Sequence, residues 1–256
     1  MWPAIVAHRG ASARHPENTL RAFEAAVQAG ADFIELDVRR CSDGGLAVTH
    51  DPTVESDEGG TFAICELSLA ELKRLRAQTP SLDEVLEALR GRAALEVEIK
   101  NARGEPGYEP TGVTIAREVV AAMQAHCFAD AFVASFDGRC LDAVKDCDPQ
   151  ISTGLLLEGS DDLARALEAV AGRDAFLLPE AAALEAAGRA FIEQAHDRGV
   201  RVCTWEVDDP SVIERLFELG ADAVETNDPA AGVAVRDRIR SRRSDGASST
   251  GATWAS

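Results

Sequence analysis

Short apolar runs alternate with amphipathic helical stretches along almost the whole chain, and no other feature constrains its fold as strongly. Strands are expected at 4–7, 33–38, 46–49, 94–100, 131–135, 151–157, 175–178, 200–205 and 223–226. Helices are expected at 18–30, 69–76, 82–89, 111–125, 138–145, 161–170, 184–198, 210–219 and 229–239. Local chemistry marks several boundaries. Leu20, Phe23, Ala26 and Val27 form one apolar helical face that Gly30 ends, and Ser68 and Ser81 stand where N-caps belong. Strands that alternate with helices run parallel through right-handed crossovers. About eight such units in about 240 residues point to an α/β protein of the (β/α)8 TIM-barrel class. An open doubly wound sheet would want a glycine-rich phosphate loop after the first strand, and His8-Arg9-Gly10-Ala11 is not one. Residues 51–67 fit neither period and read as a small insertion after the second strand. One barrel domain is thus expected over 1–240, followed by a Ser/Gly/Ala/Thr-rich disordered tail at 241–256.

The net charge of −18 argues against nucleic acid or an anionic membrane surface as a partner. An anionic substrate would therefore need local arginine, lysine or a bound cation. The basic cluster Arg236, Arg238, Arg240, Arg242 and Arg243 reads as a solvated helix end. Six scattered cysteines without a C-x-x-C pair form neither a zinc pattern nor a disulfide framework, so reduced, mostly buried thiols are expected. No signal peptide and no bilayer-spanning run are apparent, and a cytoplasmic location is expected.

Period-2 alternation places the chemistry. In 33–38, Ile34, Leu36 and Val38 share one face while Phe33, Glu35 and Asp37 share the other. In 94–100, Leu95, Val97 and Ile99 oppose Glu96, Glu98 and Lys100. If the apolar faces meet the helix ring, Glu35, Asp37 and Glu98 converge inside the barrel near the strand C-termini, where barrel enzymes work. Clustered carboxylates need compensation, whether by a hard divalent cation, by protonation of one acid, or by pairing with Lys100 and Arg9. His8 and His50 end extended segments at the same face and suit a general acid–base pair. His126 and His196 read as ordinary helix-end residues, His15 is undecided, and Asn18 doubles as a candidate N-cap.

His8-Arg9-Gly10, Pro16-Glu17-Asn18-Thr19, Glu35-Leu36-Asp37, His50-Asp51-Pro52 and Glu98-Ile99-Lys100 together resemble the glycerophosphodiester phosphodiesterases. The likeness continues through 67–72, Ser135-Phe136, Trp205 and Thr226-Asn227-Asp228-Pro229. It implies hydrolysis of glycerophosphodiesters to glycerol 3-phosphate and an alcohol. It implies His8 and His50 as the acid–base pair and Glu35, Asp37 and Glu98 as ligands of one divalent cation, with Mg2+ expected and Ca2+ the alternative. Arg9 and Lys100 would meet the phosphate, Trp205 would line the glycerol side, and Glu17 and Asn18 would brace the first loop.

Three departures bear on the substrate. The insertion reads Thr53-Val54-Glu55-Ser56-Asp57 where an Arg-Thr-Thr run is common. Glu96 replaces a neutral residue, and Glu206-Val207-Asp208 stands where Thr-Val-Asn is usual. A related enzyme acting on lysophospholipids, a non-catalytic glycerophosphate-binding barrel, and a Mg2+-dependent lyase or aldolase are the competing readings. The second would be expected to lack a histidine or an acid, and the third to lack the histidine pair.

Overall fold

The computed structural model describes residues 3–249 apart from 57, 58, 160, 161 and 174, with side chains to residue 242. Eleven strands are defined among them: β1 (Ala4–Ala7), β2 (Phe33–Arg40), β3 (Leu46–Val48), β4 (Thr53–Glu55), β5 (Thr61–Ala63), β6 (Ala94–Ile99), β7 (Ala131–Ser135), β8 (Ser152–Leu157), β9 (Ala175–Pro179), β10 (Arg201–Thr204) and β11 (Ala223–Thr226). The helices are α1 (Leu20–Ala29), α2 (Leu69–Leu75), α3 (Leu82–Leu89), α4 (Val113–Ala125), α5 (Gly138–Cys147), α6 (Leu163–Val170), α7 (Ala181–Asp197), α8 (Pro210–Leu219) and α9 (Pro229–Ser249). Strands β1, β2 and β6 to β11 form a parallel ring, because β1 pairs with both β11 and β2. That closure gives the (β/α)8 barrel and excludes the open sheet. Strand β3 folds back antiparallel on the end of β2.

Alternation decides which residues meet the helices. Ile34, Leu36, Val38, Leu95, Val97 and Ile99 are buried against Phe23, Val119 and their neighbours in the helix ring. Val6, Phe132, Leu156, Phe176, Leu178 and Cys203 face the barrel axis. There Phe132 stacks on Phe176 with centroids 4.2 Å apart. Ser68 and Ser81 cap α2 and α3 in full capping boxes with Glu71 and Glu84. Gly30 ends α1 in the left-handed conformation at φ 82°.

Four details differ from expectation. Thr19, not Asn18, caps α1, and it frees the Asn18 amide for the site. The insertion contains a hairpin, β4 against β5. Its pairing registers Thr53 with Ala63, and Ile64 beyond it is buried while Phe62 is exposed; Asp57 lies outside the described residues. Arg236 is buried rather than solvated, bonded to the Gly30 carbonyl and to Asp32. It ties α9 to the turn after α1, which closes the ring of helices. Finally, α9 continues to Ser249, past the expected end at 239, so the backbone of 241–249 is helical and 250–256 lies outside the described residues. Among the described residues no helix is long and apolar enough to cross a membrane.

Candidate active site

The residues singled out in the sequence lie around the C-terminal mouth of the barrel. Glu35 and Asp37 project inward from β2, and Glu98 from the facing position on β6, where Asp37 registers with Glu98. One ligand atom from each of the three lies within 4.8 Å of the others, and all three residues are buried. Two cations already touch this set. Lys100 Nζ is 3.0 Å from Asp37 Oδ1 and 2.7 Å from Glu98 Oε1, and Arg9 Nε is 3.1 Å from Asp37 Oδ2. Three acids still face two cations, and Glu35 Oε1 finds no hydrogen-bond partner. A buried, unpartnered carboxylate oxygen within reach of two further carboxylates fits a hard divalent ion.

The electrostatics follow from who touches whom. Burial raises Glu35 well above the usual carboxylate range, and neighbouring Asp37 adds to this. Burial raises Glu98 too, against the pull of Lys100. Burial also opposes ionisation of Asp37, but Lys100 and Arg9 outweigh it and hold the group low. Asp37 is therefore the anchored charge of the cluster. Asn18 fixes it: Nδ2 donates to Asp37 Oδ2 at 2.7 Å, and Oδ1 accepts the Asp37 N–H at 3.2 Å. Arg9 has φ 54° and Asn18 φ 55°, a region costly for side chains with a Cβ. This backbone lets Arg9 N–H donate to Glu35 Oε2 at 2.7 Å while the guanidinium reaches Glu17 at 3.0 Å.

A cavity of about 420 Å3 opens above the acids and is lined by His8, Arg9, His50, Glu98, Lys100 and Trp205, among others. His8 Nδ1 lies 2.8 Å from Glu206 Oε2 and 2.9 Å from Asn227 Oδ1. Both partners are acceptors, so Nδ1 carries a proton. The Asn227 orientation is fixed in turn, because its Nδ2 donates to Asp208 Oδ2 at 2.9 Å. Burial opposes a charge on His8, but Glu206, then Glu35 and Glu225, push its pKa up to about 10. His50 Nδ1 sits 3.0 Å from Asp51 Oδ1, and Arg39 Nε donates to the His50 carbonyl at 2.6 Å. Trp205 Nε1 donates to the Leu178 carbonyl at 2.9 Å, and the ring meets Phe136 edge to face at 5.6 Å. That bond holds the indole as one wall of the cavity.

A sequence profile described as the glycerophosphoryl diester phosphodiesterase family matches residues 8–231. The chain belongs to this family. A glycerophosphodiester phosphodiesterase of Caldanaerobacter subterraneus subsp. tengcongensis is 31% identical over 249 residues, which cover 90% of this chain and 96% of the relative. The crystal structure of a glycerophosphodiester phosphodiesterase from Agrobacterium tumefaciens is 27% identical, with a TM-score of 0.74 over 91% of this chain and 100% of that one. An Oleispira antarctica phosphodiesterase, solved with the product sn-glycerol-3-phosphate, is 25% identical, with a TM-score of 0.75 over 92% of this chain and 97% of that one.

Several residues of this family member's cavity were not assigned a role from sequence. Arg39 is buried and bridges the His50 carbonyl to Glu105 at 2.8 Å. Asn101 pins the loop after β6, bonding Asp137 Oδ2 and the Glu109 carbonyl, each at 2.8 Å. Asn227 and Glu206 hold His8 across more than 190 residues of chain, a pairing without any local signal. Glu225 had one, as the acid of a short strand otherwise made of Ala, Val and Thr. His126 and His196 pair with Asp83 and Asp222 away from the cavity. His15 is half-buried.

Proposed function

We propose that the chain hydrolyses glycerophosphodiesters to glycerol 3-phosphate and an alcohol, with one divalent cation held by Glu35, Asp37 and Glu98. The convergence of three buried carboxylates beneath a cavity lined by both His8 and His50 carries this reading. The ion, with Mg2+ first in our reading and Ca2+ second, would supply Lewis-acid polarisation of the phosphoryl group. Arg9 and Lys100 add positive charge beside it and orient the phosphate. Trp205 and Phe136 offer an apolar wall to the glycerol carbons.

The two histidines divide the proton transfers by their partners. His8 is clamped by Glu206 and favours the imidazolium, so its remaining N–H is the proton donor to the leaving alcohol oxygen. His50 donates from Nδ1 to Asp51, which leaves Nε2 as the base for the attacking oxygen. Glu206 replaces the residue usual in the resemblance, so the carboxylate that sets the charge on His8 belongs to this chain's own version of the site.

The test is release of glycerol 3-phosphate from glycerophosphocholine, with and without EDTA. Expected is cation-dependent release that falls by roughly 10^2–10^4-fold in His8→Ala and in His50→Ala. No release from any glycerophosphodiester in Mg2+, Ca2+ or Mn2+ sinks the proposal. Exposed Phe136, beside Trp205, favours a second substrate class, so headgroup release from a lysophospholipid is measured alongside.

A further inference from the structure

Beneath the cation set described above, the barrel holds a second cluster that the hydrolytic reading does not use. Glu96 points inward from β6 and Glu225 from β11, and Cys203 points inward from β10. One ligand atom from each lies within 4.8 Å of the others. Donors about 2.0–2.3 Å from one ion stand at most about 4.6 Å apart, so small rotamer movements close the set around an ion. All three residues are buried, with Glu96 1% and Cys203 0% exposed. The walls around them are apolar: Val6, Phe132, Ala134, Leu156 and Leu178.

Among the described residues the two acids are only partly discharged: the charge of His8 acts on Glu225, and the two carboxyls lie within hydrogen-bonding reach of one another. No amide, hydroxyl or cationic donor among the described residues bonds either oxygen of Glu96 or Glu225 Oε1, which leaves the two carboxyls to each other. The cations above them are engaged, Lys100 with Asp37 and Glu98, Arg9 with Asp37 and Glu17, and His8 with Glu206, while below them the Arg201 guanidinium stacks on Phe176, 3.9 Å from the ring centre. Burying a carboxylate without donor or counter-charge costs several kcal/mol. Either a proton shared between the two acids or a metal ion removes that cost. The thiol favours the metal. Hydrogen-bonding needs of two acids explain no sulfur at the third corner, whereas a metal explains all three donors.

We propose that Glu96, Cys203 and Glu225 form a second cation site, deeper in the barrel and distinct from the Glu35, Asp37 and Glu98 set. The donor sets sort the ions by softness. Three carboxylates suit Mg2+ or Ca2+, while a thiolate with two carboxylates suits Zn2+ and its substitute Co2+. Binding forms a metal–sulfur bond and breaks the S–H bond. The proton leaves to solvent through the cavity, which Glu225 helps to line. Neither a Zn2+ finger spacing nor any C-x-x-C pair announces the site, because its donors come from three strands.

The full chain, stripped of metal under reducing conditions, is titrated with Co2+ in excess Mg2+. A near-ultraviolet thiolate-to-cobalt absorption that saturates at one equivalent and is displaced by Zn2+ is expected. It should vanish in Cys203→Ser and persist in Glu35→Gln and in Cys127→Ser, the exposed cysteine. Absence of the band, the outcome for a shared proton, overturns the proposal; so does a band of full strength in Cys203→Ser. X-ray absorption on the Zn2+-loaded wild type decides the matter even if that variant does not fold. One sulfur among oxygen ligands supports the site, and oxygens alone overturn it. None of these readouts depends on phosphodiester hydrolysis.

Discussion

The contact between Glu206 and His8 makes a prediction with a definite sign. Chiefly through its bond to His8, Glu206 drops from its ordinary 4.5 to about 2, while His8 rises from 6.5 to about 10 despite its burial. The raised histidine stabilises the fold fully below 6.5 and loses that contribution as pH climbs through about 10. The lowered carboxylate contributes fully above 4.5 and loses it as pH falls through about 2. In EDTA, the Tm deficit of Glu206→Gln should therefore be largest between pH 4.5 and 6.5 and shrink on both sides. A deficit that grows toward pH 10 would contradict the pairing. The proposed division of labour also separates the histidines. His8→Ala should lose far more rate on a choline leaving group than on p-nitrophenolate, which needs no proton, while His50→Ala should lose similar rate on both. Equal losses in His8→Ala would remove it as the acid. Asn18→Ala should weaken cation affinity roughly 10–100-fold, as loss of a residue that orients a ligand does, read by isothermal titration.

Among elements, the loop between β1 and α1 concentrates strain and function. A Cβ on Gly10 would stand 2.7 Å from the Ala22 backbone, and its φ of +83° disfavours any side chain. Gly10→Ala should cost about 1–3 kcal/mol and displace the Arg9 amide from Glu35, so Tm and kcat fall together. Ser81→Ala removes only the cap of α3, at about 1 kcal/mol. Its Tm should fall with kcat/KM unchanged. If both variants lose activity in proportion to stability, the loop has no special role. These loops were partly legible. The caps at Ser68 and Ser81 and the stop at Gly30 follow from local hydrogen bonding, which sequence neighbours decide. The Thr19 cap was missed because Asn18 had the better intrinsic rank and is recruited by Asp37, 19 residues away. The insertion hairpin was missed because two three-residue strands carry too little period to read.

At the scale of the whole molecule, five buried acids among the described residues share the barrel interior: Glu35, Asp37, Glu96, Glu98 and Glu225. A bound cation should therefore act as a stability ligand as well as a catalytic one. At about 100 times its Kd it adds roughly 2.7 kcal/mol, or about 5–10 °C of Tm in a chain of this size. Differential scanning fluorimetry should show that rise with Mg2+ or Mn2+, and Glu35→Gln should abolish it. No shift in the wild type at any concentration would remove the cation from Glu35, Asp37 and Glu98.

The sequence by itself determined the barrel and the inward set of Glu35, Asp37 and Glu98. Both rest on period-2 and period-3.6 alternation, which backbone geometry imposes on neighbours in the chain. It also placed Glu96 on the same inward face as Glu98, as an acid where a neutral residue is usual. Only the tertiary structure decided who neutralises whom. Barrel closure sets β11 beside β1, and so brings Asn227 to His8. The same ring gathers Glu96, Cys203 and Glu225 from three strands, turning one of six scattered thiols into a candidate ligand. Coulombic and coordinate interactions act through space, over a few ångströms, and no spacing along the chain encodes which distant residues a closed sheet will bring that near.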